Sequence, residues 1–320
     1  MAYDPFKPGD YPVAVRTVDV FDDVRSRAFR CELWCPDTSF GSHPLVVYSH
    51  SSGGNRCASS VLCAHLSSHG YVVAAMDHSE VVAEELHPKP GETAEERIAR
   101  GAAWIANRVP DLRFLIDRVL DGAVLPAGCI DPAPIGAVGH SFGGWTALAA
   151  VDEDPRIGAV VALAPGGASN PKPGILPLKL AFDWSRDVPT LYLVAEDDVS
   201  LPLAGMRELL ERTPATKQMA VLRRADHLHF IDDAESRHEA VRAMDFPTEL
   251  AWIKDEMRPF SELCTSDDAQ LFVKALTLSH FDAYVKHLDA AVQFLRAEAG
   301  AELAGRGVDA SVGPIFPLLR

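Results

Sequence analysis

The chain has 320 residues, is 48% apolar and carries a formal net charge of −15. A chain of this length and apolar share can bury one large core, and α/β folds often run to this size as one domain. The charge argues against nucleic acid or an anionic membrane surface as partner, because a phosphate-rich surface is repelled. A neutral small molecule suits it better than a polyanion. Apolar runs read as strands over 13–20, 28–34, 45–49, 71–77, 134–139, 159–164, 190–195 and 218–222. The first two alternate partially, as half-exposed antiparallel edge strands do, and the later ones are nearly continuous Val, Ile, Leu and Ala, as in a buried parallel sheet. Helices are expected over 58–68, stopped by Gly70, and over 109–120, 142–151, 203–212 and 280–297. In the last, Phe281, Tyr284, Leu288, Val292 and Leu295 recur at steps of three and four and give one apolar face. Strand and helix alternating in this way predict a doubly wound, mainly parallel sheet with helices on both faces.

Two stretches exceed that minimal plan, 79–107 with its Pro88-Lys89-Pro90-Gly91 and 232–275 with Trp252, Met257, Phe260 and Leu271 dispersed among charges. Both follow strands whose C-terminal ends border the ligand crevice of an open α/β sheet, so both are expected as cap or pocket-wall insertions in one domain, 1–320. The opening residues, Met1 to Pro8, have neither a basic region nor an apolar core of a signal peptide, and no stretch is apolar enough to span a membrane. A cytoplasmic chain with reduced cysteines at 31, 35, 57, 63, 129 and 264 is the expectation. No cysteine and histidine spacing matches a zinc site, and no metal or cofactor is expected. Homo-oligomerisation is left open.

Gly139-His140-Ser141-Phe142-Gly143-Gly144 lies between the apolar run 134–138 and the helix-like Trp145-Thr146-Ala147-Leu148. G-x-S-x-G at a strand-to-helix turn is the pattern of a nucleophile elbow, where glycines on either side let strand and helix approach around a strained serine. Ser141 is therefore the candidate nucleophile. A serine hydroxyl needs a base, and the base a third group that fixes its tautomer. In chain order the acid and then the histidine follow the serine.

The strand 190–195 ends in Glu196-Asp197-Asp198, and Asp198 is the candidate acid, with Asp197 a close alternative and Glu196 a distant one. The loop Asp226-His227-Leu228-His229 follows the strand 218–222, and His227 is the candidate base, with His229 as alternative. His140 is expected to pack and hydrogen-bond rather than act as base. Two amide donors must face the developing oxyanion. The N–H of Phe142 is one, and the turn His50-Ser51-Ser52-Gly53-Gly54-Asn55-Arg56 after the strand 45–49 supplies the other, assigned to Ser52. Trp145, Trp184 and Trp252 are candidates either to line a pocket or to fill core.

Tyr48 to Arg56, Ser68-His69-Gly70-Tyr71-Val72-Val73-Ala74-Ala75 with Asp77-His78, and Gly139 to Gly144 together resemble the dienelactone-hydrolase-like branch of α/β-hydrolases that includes platelet-activating factor acetylhydrolases. Tyr3-Asp4-Pro5-Phe6, Arg16-Thr17 and Arg108-Val109-Pro110-Asp111-Leu112 extend the likeness, which touches most of the chain up to His227. The resemblance implies a metal-independent serine hydrolase acting on esters with small acyl groups. Equivalent loops of relatives favour Asp198 as the acid. The chain departs from the pattern at three places. Ser51 stands where relatives usually have glycine. The strand after the elbow ends in Leu163-Ala164-Pro165-Gly166, with no carboxylate where animal acetylhydrolases carry their acid. Dienelactone hydrolases proper use a cysteine nucleophile, so lactone hydrolysis is not inherited. The reading is a serine carboxylic ester hydrolase working through an acyl-enzyme on small or short-acyl neutral esters. An acyltransferase or amidase with the same triad, or a non-catalytic ligand-binding relative, stands as the alternative.

Overall fold

A computed structural model describes residues 3–37, 41–125, 128–131 and 134–318. Among the described residues nine strands form one sheet in the order β1-β2-β4-β3-β5-β6-β7-β8-β9. The hairpin β1 (Val13–Asp22) and β2 (Arg27–Pro36) is antiparallel and forms one edge. From β4 (Val72–Met76) through β3 (Leu45–Ser49), β5 (Ile135–His140), β6 (Ile157–Leu163), β7 (Thr190–Ala195) and β8 (Lys217–Leu222) every pairing is parallel. The short β9 (Ala310–Val312), which no apolar run announces, closes the other edge antiparallel to β8.

The period of two along each strand sorts its side chains onto opposite faces. Val46, Tyr48, Val73, Ala75, Val138 and Leu193 join one core. Leu45, Val47, Val72, Ala74, Ala137 and Val194 join the other. The first face is covered by α1 (Ser60–Ser68) and by the C-terminal helices. The second is covered by α3 (Ala94–Leu120), α4 (Phe142–Glu153) and α5 (Leu203–Arg212), with the short α2 (Ser79–Val82) ahead of them in the chain. Helices on both faces of a mainly parallel sheet are what buried, uniformly apolar strands require.

Three expectations about helices are corrected. The segment 94–107, assigned to an insertion, is the first half of α3, which runs through Pro110 as one helix of 27 residues. Its start is fixed by a capping box in which Thr93 and Glu96 satisfy each other's backbone N–H groups. The second stretch, 232–275, is divided among several elements. It holds α6 (Ala234–Ala243) and α7 (Trp252–Glu256), but 266–275 belongs to α8 (Ser266–Tyr284), most of which is buried against the sheet. The single helix expected over 280–297 does not exist. Helix α8 ends at Tyr284, His287 takes a left-handed φ of 58°, and the Leu288 N–H turns back onto the Asp282 carbonyl at 2.9 Å. The chain restarts as α9 (Asp289–Gln293), passes through a π-helical turn over Phe294–Glu298 and ends in α10 (Ala299–Ala304). Phe281 and Leu295 are buried on either side of the break while Leu288 is exposed, so the apolar period survives a change of axis.

All six cysteines are free thiols. Among the described residues no helix is long and apolar enough to cross a membrane.

Candidate active site

Strand β5 runs one residue further than its apolar stretch and delivers His140 directly to Ser141. Ser141 has φ 58° and ψ −115°, a conformation that costs a non-glycine residue on the order of 1–3 kcal/mol and persists only where the surroundings impose it. Those surroundings are hydrogen bonds on both sides of the residue. Its N–H donates to the Leu163 carbonyl at 2.8 Å, and its carbonyl accepts from Trp145 at 3.0 Å and Gly166 at 3.1 Å. The close approach of strand and helix explains the flanking glycines. A Cβ on Gly139 would sit 2.2 Å from the Gly143 carbonyl oxygen, and one on Gly143 would sit 1.9 Å from that of Ser49. Although Ser141 occupies the N-cap of α4, its hydroxyl makes no capping bond and the side chain is half-buried.

The three acidic residues after β7 are sorted by their partners. Glu196 pairs with Arg223, Asp197 lies 3.2 Å from the Arg258 guanidinium, and Asp198 Oδ2 lies 2.6 Å from His227 Nδ1. The other Asp198 oxygen accepts the N–H groups of Ser200 at 2.9 Å and Leu201 at 2.8 Å, which fixes the carboxylate's plane. His227 opens the 3-10 turn His227–Phe230 past β8, and its carbonyl accepts a hydrogen bond from His140 Nε2 at 2.9 Å. The two imidazole rings lie 4.6 Å apart, so the His227 loop is tied to the residue that immediately precedes Ser141. Burial alone would lower the His227 pKa, but the charge of Asp198 and its hydrogen bond outweigh burial and raise it. For His140, burial and then the neighbouring His227 push the pKa well below the ordinary value, which keeps that imidazole neutral.

His229, the alternative base, is fully buried. Its Nδ1 accepts the Asp226 N–H at 3.0 Å, its Nε2 donates to the Cys264 carbonyl at 3.2 Å, and its ring stacks on Phe260 at 4.8 Å. It shapes the turn that presents His227. Asp226, which the sequence reading passed over, accepts the His227 N–H at 2.6 Å and that of Val199 at 3.3 Å, joining the two loops. Burial and then the nearby Asp198 charge raise its pKa.

Ser52 is exposed in the turn after β3, and Phe142 is the first residue of α4, where a backbone N–H has no partner within the helix. The far end of the Ser52 loop is anchored through Arg56, whose N–H and guanidinium both bind Asp77 at 2.8 Å while Nε reaches Glu32 at 3.1 Å. Trp145 is buried beside Phe142, its Nε1 donating to the Lys179 carbonyl at 2.8 Å. Trp184 packs against the core, and Trp252 lies outside it with Nε1 on the Pro173 carbonyl at 3.1 Å. Arg97 in the first expected insertion meets Glu249 in the second at 3.5 Å. Among the described residues no group of three or more His, Cys, Asp or Glu side chains is placed to hold a metal. A cavity of 840 Å³ opens at the N-terminal ends of β5, β6 and β7, near Ile135, Gly158 and Pro189, the opposite ends of the strands from this constellation.

The sheet order and the strained serine between β5 and α4 define an α/β-hydrolase fold. Within that fold the likeness runs to the esterase branch that holds the platelet-activating factor acetylhydrolases. Residues 19–107 match the family described as platelet-activating factor acetylhydrolase, isoform II. The acetylhydrolase of Canis lupus familiaris is 26% identical over 233 residues, covering 59% of this chain and 48% of that protein, and that of Cavia porcellus is 27% identical over 159 residues, covering 38% and 35%. The chain thus spans about half or less of the curated relatives it matches. A ferulic acid esterase from Streptomyces cinnamoneus superposes with a TM-score of 0.64 at 21% identity, covering 87% of this chain and 91% of that one.

Proposed function

We propose that this chain is a serine carboxylic ester hydrolase that works through an acyl-enzyme on small or short-acyl neutral esters. The observation that carries the reading is the link from Asp198 to His227 Nδ1 at 2.6 Å, in a loop hydrogen-bonded to the residue before the strained Ser141. With its proton on Nδ1 shared to Asp198, the imidazole leaves Nε2 free to take the Ser141 proton. Ser141 Oγ attacks the ester carbonyl, and the N–H groups of Ser52 and Phe142 hold the oxyanion. His227 protonates the departing alcohol and then activates water to release the acid, restoring the serine. Each such amide is worth on the order of 3 kcal/mol in the transition state.

The small acyl group is supported by the relatives named acetylhydrolases, and the neutral substrate by the net charge of −15. The Arg97 and Glu249 contact joins the front of α3 to the segment 232–275 and supports the reading of both as parts of a single domain. The test is hydrolysis of a p-nitrophenyl short-acyl ester. Ser141→Ala is expected to fold and to lose activity to background, and equal activity in that variant overturns the mechanism. Products formed with a competing alcohol or amine separate hydrolysis from acyl transfer.

A further inference from the structure

Beneath the Ser52 loop lies a buried set of charges that the proposed reaction does not use. Arg108, on α3, is fully buried in an ion pair with Glu80 on α2. Its Nη1 donates to the His50 carbonyl at 2.6 Å and its Nη2 to the Ser51 carbonyl at 3.4 Å. The guanidinium carbon also stands 4.1 Å from the centre of the Phe142 ring. One side chain therefore touches both segments assigned to the oxyanion site. Such a double contact is not needed to neutralise Glu80.

Resting on the esterase reading, we propose that Arg108 is a positioning residue that aims the Ser52 and Phe142 amides at the oxyanion. The leverage comes from peptide planarity. The Ser51 carbonyl and the Ser52 N–H belong to one trans peptide, in which they point in opposite directions. The Ser51 oxygen is held on the protein side by His50 Nδ1 at 2.7 Å and the Gly54 N–H at 3.1 Å as well as by Arg108. The Ser52 N–H is thereby turned outward, where Ser52 is exposed.

His50 can donate from Nδ1 because its Nε2 accepts the His78 N–H at 3.2 Å. His78 is held in turn between Ser49 Oγ at 2.8 Å and Asp111 Oδ2 at 3.3 Å. This Ser49, His78 and Asp111 set has the connectivity of a triad but is fully buried, so it serves as a support and not as a second active centre. Lysine cannot replace Arg108 here, because a point charge cannot hold two carbonyls and a carboxylate in one plane.

The experiment compares Arg108→Lys, and the double variant Arg108→Met with Glu80→Gln, with the parent enzyme on matched oxygen and thiono p-nitrophenyl esters. The double variant removes the ion pair without leaving a buried charge alone, so it guards against simple misfolding. Sulfur accepts hydrogen bonds poorly, so a working oxyanion site favours the oxygen ester. The expected result is kcat on the oxygen ester lowered on the order of 10- to 100-fold, KM near the parent value, and the preference for oxygen over sulfur falling in step. An unchanged preference in both variants, whatever the absolute rates, overturns the role of Arg108 while leaving the esterase reading intact. A parent enzyme with no Ser141-dependent hydrolysis overturns the esterase reading and this inference with it.

Discussion

Asp198 and His227 come from the ends of adjacent parallel strands, β7 and β8, and meet with carboxylate oxygen and imidazole nitrogen 2.6 Å apart. The Asp198 charge and its hydrogen bond keep the His227 pKa raised against the effect of burial, so the neutral base form becomes the major one at a pH above the ordinary histidine value. The rate kcat/KM should rise with pH through a midpoint above about 6.5. Asp198→Asn should lower kcat on the order of 10⁴-fold, the loss expected when the histidine tautomer is no longer held, and should move the midpoint down. The sign for stability is opposite. A raised folded pKa gives stabilisation that is complete below the unfolded value and lost as pH rises through the folded one. Urea melts of the parent and Asp198→Asn should therefore differ more at about pH 5.5 than at about pH 9.

The two neighbouring carboxylates give a sharper check of the same assignment. Asp197 and Glu196 face Arg258 and Arg223 at partly exposed positions. Asp197→Asn and Glu196→Gln each remove one such pair, worth roughly 0–1 kcal/mol in stability, and should leave kcat within about twofold of the parent. Steady-state kinetics on one ester would sort all three positions.

Gly143 and Gly53 should respond to alanine in different ways. At Gly143 the added carbon meets backbone of β3, so Gly143→Ala should cost about 3 kcal/mol or more, a loss tied to overpacking. At Gly53, with φ 70° and open space around the site, the cost should be nearer 1 kcal/mol and purely conformational. Denaturant midpoints of the two variants measure the difference.

The strain at Ser141 makes a further prediction about stability alone. Ser141→Ala keeps the positive φ with a side chain, whereas Ser141→Gly removes the clash. The glycine variant should be the more stable of the two by about 1 kcal/mol, read as a higher melting temperature, with both inactive.

The parallel core of the sheet was legible because its strands are buried on both faces and so read as unbroken apolar runs. The elbow was legible because its glycines serve a steric need. The helices were harder. Pro110 and the charged run before it hid the front half of α3, and the apolar period from Phe281 to Leu295 hid a break that depends on one left-handed residue, His287. At the candidate site the sequence could name Glu196, Asp197 and Asp198 but not their partners. Arg223, just past β8, and Arg258, further along the chain, pair with the first two, and Asp198 is the one that meets His227. Arg108 and Asp226 stood in quoted motifs, yet their roles lie in contacts to backbone carbonyls and N–H groups, which leave no pattern in residue type.

The central claim is that Ser141 carries the acyl group. The most direct measurement is to quench the enzyme early in its reaction with p-nitrophenyl acetate and map the modified peptide by mass spectrometry. The account predicts a stoichiometric release of p-nitrophenol with the acetyl group on Ser141, and neither in Ser141→Ala. Turnover that leaves Ser141 unmodified and persists undiminished in Ser141→Ala would contradict it.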